Sequence, residues 1–283
     1  LAKTHKSTFH QELLCETCPR LLCPSLRFLS TPGVAFLTQR RRLPPSIGCK
    51  WLGPGPLTSS AKRLRYRVFA DEMGARLAGP AGLDVDRFDS CCDHLLVRDL
   101  NTLKVVGTYR VLPPHQAARI GGLYAEGEFD LSRLAHLRSK MVEVGRSCVH
   151  PDYRSGSVIM SLWGGLATYM MQNGYETMVG CASVPMGDGG HFAANLYESL
   201  RENALTNPEY RAFPHTPLPV EKLRTGTRVA PPLVKGYLRL GAKICGAPAW
   251  DPDFNCADFL TLFRLTDINE RYARHFLGET NLR

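Results

Sequence analysis

Residues 141–184 constrain the fold of this 283-residue chain more than any other stretch. MVEVGRSCV (141–149) has the β-branched and apolar content of a strand, HPDYRSG (150–156) is a turn, residues 157–173 read as a helix, and TMVGCASV (177–184) is a second strand. Gly145, in the middle of the first strand, marks a bulge or the close approach of a ligand. The longest nearly apolar run, VIMSLWGGLATYMM (158–171), is shorter than the ~20 residues that cross a bilayer, so no membrane span is expected. Residues 1–30 lack the uninterrupted apolar region and small-residue cleavage site of a secretory signal.

The rest of the pattern places mixed α and β elements around one sheet. A short strand near 47–52 feeds a helix near 58–72 capped by Ser59 or Ser60. DHLLVRD (93–99) and LKVVGTYRVL (103–112) read as a hairpin-like pair bounded by Asn101 and by Pro113–Pro114. A short helix is expected near 131–138 and another near 190–202, followed by an irregular Pro-rich stretch around 207–220. A helix near 231–241, a strand near 257–265 and a terminal helix near 267–276 complete the order, with no internal repeat.

The formal charge of +9 suggests nucleic acid until it is located. Residues 1–65 hold 11 Lys and Arg against Glu12 and Glu16, whereas residues 66–283 hold 24 basic and 24 acidic residues. The basicity thus belongs to an N-terminal segment. Residues 1–45 carry Pro, Cys and the run QRRRLPP without periodicity and read as a poorly ordered extension; residues 46–283 read as the folded domain. Ten cysteines show no regular spacing, and Cys15-x-x-Cys18 lacks a second ligand pair, so reduced, mostly buried thiols are expected and no metal site.

Three segments carry a family resemblance: RYRVFADEMGARL (65–77) with DVDRFDSCCDHLLV (84–97), VVGTYRVL (105–112), and VEVGRSCVHPDYRSG (142–156). In this order they resemble the branch of the GNAT fold that uses acyl carrier protein (ACP) and includes the acyl-homoserine lactone synthases. The match continues through GCASVP (180–185), PPLVKGYLRLGA (231–242) and DPDFNCADF (251–259), and over residues 47–276 the chain is similar to the ornithine–acyl-ACP N-acyltransferases. The resemblance implies an α/β GNAT fold, a mixed twisted sheet with a central splay flanked by helices. It implies an enzyme, cytoplasmic or peripheral on the inner membrane face, that joins a (3-hydroxy) fatty acyl group to the α-amine of L-ornithine. The 4′-phosphopantetheine of acyl-ACP would be the only prosthetic group involved.

The resemblance places the donor's pantetheine arm between MVEVGRSCV and TMVGCASV, along Ser147, Cys148 and Val149. It makes Glu143 the general base, with Arg146 and Arg110 completing the catalytic group; a pairing of Glu143 with Arg146 or Arg110 is the structural alternative. Gly145 stands where the lactone synthases commonly have Ser. Asp86 and Asp89, with Asp84 and Asp93 nearby, would attract the two ammonium groups of ornithine or form an ion-pair network with Arg65 and Arg110. Arg65, Arg110 and Arg146 also suit the substrate carboxylate. Phe69 lines the site or packs its helix.

The turn 150–156 is where CoA-dependent members hold a pyrophosphate on a glycine-rich loop. Here Gly156 is flanked by Ser155 and Ser157, a poor cradle that favours a carrier-protein donor, with Arg154 as the phosphate contact and His150 as a turn residue. Lys222, Arg224, Arg228, Lys235, Arg239 and Lys243, with no acid among residues 222–243, suit docking of an acidic carrier protein. No aromatic-and-basic motif accompanies them, so nucleic acid is not expected. Two rival functions remain: a lactone synthase using S-adenosylmethionine, and a non-catalytic basic module that binds carrier protein or nucleic acid.

Overall fold

The computed structural model describes residues 46–223 and 232–268. The expected N-terminal extension lies outside the described residues, as does the expected terminal helix beyond Ile268. The chain runs β1 (Ile47–Leu52), α1 (Ser59–Tyr66), β2 (Asp93–Asp99), β3 (Val105–Leu112), α2 (Pro114–Ile120), β4 (Phe129–Asp130), β5 (Met141–Val149) and α3 (Ser157–Asn173). It continues through β6 (Thr177–Pro185), α4 (His191–Asn203), β7 (Phe213–Pro214), α5 (Val220–Leu223), α6 (Pro232–Leu240), β8 (Lys243–Ile244), β9 (Ala249–Asp251) and β10 (Cys256–Arg264). The main sheet has the order β1-β2-β3-β5-β6-β10-β8, with β9 also on β10, while β4 and β7 form a separate ladder.

Every pairing in the main sheet is antiparallel except β5 with β6, which α3 joins. Helix α3 starts at Gly156 and ends at Gly174, both in the left-handed region, where a residue without Cβ is least strained. Val158, Leu162, Leu166 and Met170, one face at four-residue spacing, bury against Leu95, Val97, Val106 and Val142. Each such side chain contributes about 1.5–3 kcal/mol on burial, enough to fix the helix on the sheet. A Cβ on Gly107 would come within 2.5 Å of Val158, so glycine there lets β3 approach α3. Helix α4 packs Leu196 and Leu200 with Val184 and Phe259 at the other end.

The parallel ladder is short. Met141–Glu143 pair with Thr177–Val179, and beyond Glu143 the strands have no further partners in one another. A Cβ on Gly180 would lie 2.4 Å from the Val144 carbonyl, which explains glycine where the strands begin to part. This is the expected splay of a GNAT fold.

The departures are local. Helix α1 is preceded by Thr58 rather than a serine cap, and its second half is a π-helical turn over Arg67–Glu72. The segment near 131–138 forms a 3-10 helix, Ser132–Lys140. Pro114 begins α2, because proline suits the first helical position, whereas the sequence had suggested only the end of a hairpin. No helix of the described residues is long and apolar enough to cross a membrane.

Candidate active site

A cavity of about 610 Å³ occupies the splay. Its floor is Glu143, the last residue of β5 paired with β6, and the free edge that follows it from Val144 to Val149; β6 contributes Gly180, Cys181 and Ser183. One side is apolar, with Trp163, Leu166 and Met170 of α3 and Met178 and Phe263 from the sheet. The other is polar and acidic. At the floor, β5 places two residues, Arg146 and Ser147, opposite the single Tyr109 of β3. This is a bulge, and the residue that takes its left-handed conformation is Arg146 (φ 50°), one place after Gly145.

Glu143 is buried and lines the cavity. Its Oε2 accepts the Tyr124 backbone N–H at 2.6 Å and its Oε1 that of Ala125 at 2.7 Å. Burial pushes its carboxyl up to about 7, against the opposing pull of those two N–H groups and of Arg110. No ion pair joins it to Arg110 or Arg146 among the described residues. A carboxylate poised near neutrality beside a cavity can exchange a proton with a bound amine.

The arginines instead meet the aspartates. Fully buried Arg65 reaches Asp84 with Nε (2.6 Å) and Asp89 with Nη1 (2.7 Å). Arg110 reaches Asp86 at 2.6 Å and Asp89 at 3.4 Å. Arg146 lies 3.3 Å from Asp84 and 3.2 Å from Asp86. Asp86 also caps the 3-10 turn Arg87–Ser90 through the Phe88 N–H, and the Arg65 guanidinium helps hold Asp89 well below the usual carboxylate range. Three guanidinium groups thus balance three carboxylates. Arg110 and Arg146 line the cavity, whereas Arg65, Asp86 and Asp89 stand behind it. The Arg146 guanidinium lies over Phe254 at 4.5 Å and Tyr124 at 4.9 Å. Phe69 both packs edge-on against Phe254 and lines the cavity.

The residues expected along the donor arm come together. Ser147, Cys148, Val149, Arg154 and Gly156 all line the cavity. Cys148 packs against Leu64 and Val68, and burial raises its thiol to about 12, so it is neutral. Arg154 is bidentate to Glu72 at 2.6 and 2.8 Å on the exposed side. His150 accepts the Asp152 N–H and faces Arg67, as a turn residue does. Lys235, Arg239 and Lys243 are exposed, and Tyr237 and Leu240 between them line the cavity. Arg224 and Arg228 lie outside the described residues. The cysteines from Cys49 onward are free thiols, most of them buried.

Sequence reading missed the acidic wall. Asp251 and Asp258 also line the cavity, and Glu128 lies beside Asp258 without lining it. DPDFNCADF holds three aspartates, but nothing in its spacing ties it to Glu128, which lies well over a hundred residues earlier.

Residues 64–164 match the family of acetyltransferase (GNAT) domains. The L-ornithine N(alpha)-acyltransferase of Agrobacterium fabrum is 37% identical over 239 residues, covering 78% of this chain and 81% of that protein. The enzyme of the same name from Brucella abortus is 36% identical over 241 residues (78% and 85%). That from Rhodobacter capsulatus is 32% identical over 234 residues (77% and 89%).

Proposed function

The chain belongs to the L-ornithine N(alpha)-acyltransferase family of GNAT enzymes, and on that premise we propose that it transfers a (3-hydroxy) fatty acyl group from ACP to the α-amine of L-ornithine. The product is then a lyso-ornithine lipid. The observation that carries this reading is Glu143, a buried carboxylate held near neutrality at the floor of a splayed cavity that is apolar on one side and acidic on the other.

The pantetheine arm lies along the free edge of β5. Backbone N–H groups of that edge receive the thioester oxygen as it gains charge in the transition state. The acyl chain fills the apolar side. Glu143 takes a proton from the α-ammonium, directly or through water. The neutral amine attacks the carbonyl carbon, the C–N bond forms, the C–S bond breaks, and the departing thiolate takes up the proton that the attacking nitrogen sheds. No oxidation state changes, so no redox cofactor is required, and the prosthetic group is the donor's own. Arg146 and Arg110 hold the acceptor side of the cavity in shape, and Arg146 offers a guanidinium to the substrate carboxylate.

Arg154 and the amides following Gly156 suit a single phosphate, and exposed Lys235, Arg239 and Lys243 suit an acidic carrier. The proposed lipid product fits an enzyme that is cytoplasmic or peripheral on the inner membrane face. Purified protein incubated with 3-hydroxyacyl-ACP and separate amino acids tests this reading by product mass. Acyl-ornithine is expected, with no dependence on S-adenosylmethionine. Acyl-homoserine lactone formed only when S-adenosylmethionine is present would contradict it.

A further inference from the structure

Three neighbouring carboxylates, two of them on the cavity wall, form no ion pair among the described residues. The oxygen atoms of Glu128 and Asp258 lie with the Cys181 sulfur, and those of Asp251 and Asp258 with the Cys256 sulfur, in two groups whose atoms are all within 4.8 Å of one another. The sheet makes this cluster. Asp258 on β10 pairs across to Ser183 on β6, and Cys256, two residues before it on the same face, pairs with Asp251 on β9. Asp258 is 3% exposed and Asp251 8%. Among the described residues no Lys, Arg or His forms an ion pair with any of the three. The aspartates of the 84–89 segment, by contrast, are all matched by arginines.

Several like charges buried without a counter-ion are costly. Burial and the two neighbouring carboxylates raise Glu128 to about 9, so the cluster retains a proton where an exposed one would not. Asp251 uses Oδ1 for the N–H groups of Asp253 and Phe254. Its Oδ2 accepts no hydrogen bond among the described residues, and Asp251 lines the cavity. Cys181, which groups with Glu128 and Asp258, lines the same cavity as Glu143.

We propose that Asp251 and Asp258, backed by Glu128, receive the side-chain ammonium of a diamino-acid acceptor and thereby select ornithine over amino acids with neutral side chains. The inference rests on the N-acyltransferase reading. It adds a division of labour: Glu143 deals with the reacting amine, and the acidic wall holds the amine that must not react. The same contact keeps the second amine charged, and a charged amine is not a nucleophile.

The test uses the full chain with acyl-ACP and compares ornithine with norvaline, which has the same carbon chain without the second amine. The wild type is expected to prefer ornithine in kcat/KM. Asp258→Asn and Asp251→Asn are expected to lower the ornithine-to-norvaline ratio by about 30-fold or more, because a buried charge pair has lost a partner. Donor KM should stay unchanged. Asp251→Asn alone carries the test should Asp258→Asn fail to fold. A wild type that turns over ornithine, with variants that fold and keep its selectivity, overturns this inference alone. A wild type that acylates neither amino acid overturns the underlying reading as well. One divalent metal retained per purified chain and lost in Asp258→Asn would assign the cluster to that metal and overturn the inference.

Discussion

Glu143 accepts the backbone N–H of Tyr124 at 2.6 Å, and the ring of Tyr124 carries the Arg146 guanidinium 4.9 Å from its centroid. One residue of the turn after α2 therefore touches both the proposed base and an arginine that lines the cavity. The base is fixed by backbone groups, so its position does not depend on a neighbouring side chain.

Glu143→Gln should lower kcat by about 10²–10⁴-fold while leaving donor KM nearly unchanged. The substitution is not structurally silent. Each carboxylate oxygen accepts one N–H, so the amide must turn its NH₂ toward Tyr124 or Ala125 and leave one donor unmet. That costs about 1–3 kcal/mol, or a melting temperature lower by several degrees. Steady-state kinetics with a thermal melt separates the two effects; near-normal kcat at pH 7 would make Glu143 structural.

Rising pH should raise kcat/KM through about pH 7, as Glu143 ionises. In Glu143→Gln that limb should vanish, leaving only the rise at higher pH from neutral amine. The α-amine is the easier of the two to deprotonate, by roughly two to three units on reference values. Stability runs the other way. Glu143 is raised above its unfolded value, so its contribution is complete below about pH 4 and is lost as pH climbs through about 7. Asp89 is lowered, so its contribution is present above about pH 4 and is lost on acidification. Activity profiles and melts across pH 3–9 check both signs.

Arg65→Met should destabilise the fold by about 3–5 kcal/mol, since it removes the shortest ion pairs of buried Asp84 and Asp89 and leaves them only the longer contacts to Arg146 at 3.3 Å and Arg110 at 3.4 Å. A melting temperature lower by roughly 10 °C is expected. An unchanged melt would show that the aspartates find other partners.

Lys235→Glu with Arg239→Glu should raise the KM for acyl-ACP and leave that for ornithine alone. Both side chains are exposed on α6, whose Tyr237 and Leu240 reach the cavity. The effect should be largest at low salt, where steering is strongest. Equal donor KM at low salt would remove this face from docking.

Much of this was legible because it is local. The apolar face of α3, the strands on either side of it and the glycines at its ends announce a strand, a helix and a strand, and the splay follows from the family resemblance. Glu143 and the donor-arm residues sit on that same unit, so their grouping was readable. Partnerships across the sheet were not. Asp86 and Asp89 read equally well as substrate ligands or as partners of arginine, and only the fold brings Arg65, Arg110 and Arg146 against them. Asp251 and Asp258 are brought together by the pairing of β10 with β9, and Glu128 joins them from the segment just before β4. Two-residue strands such as β4 and β8 carry too little pattern to be seen.

The most direct measurement is fragment-ion mass spectrometry of the product formed by the intact protein from 3-hydroxyacyl-ACP and L-ornithine at pH 7. The account predicts one amide, on the α-nitrogen, because Glu143 faces the amine that reacts while the side-chain ammonium stays protonated against the acidic wall. An amide on the side-chain nitrogen, or hydrolysis of the thioester without amide formation, would contradict it.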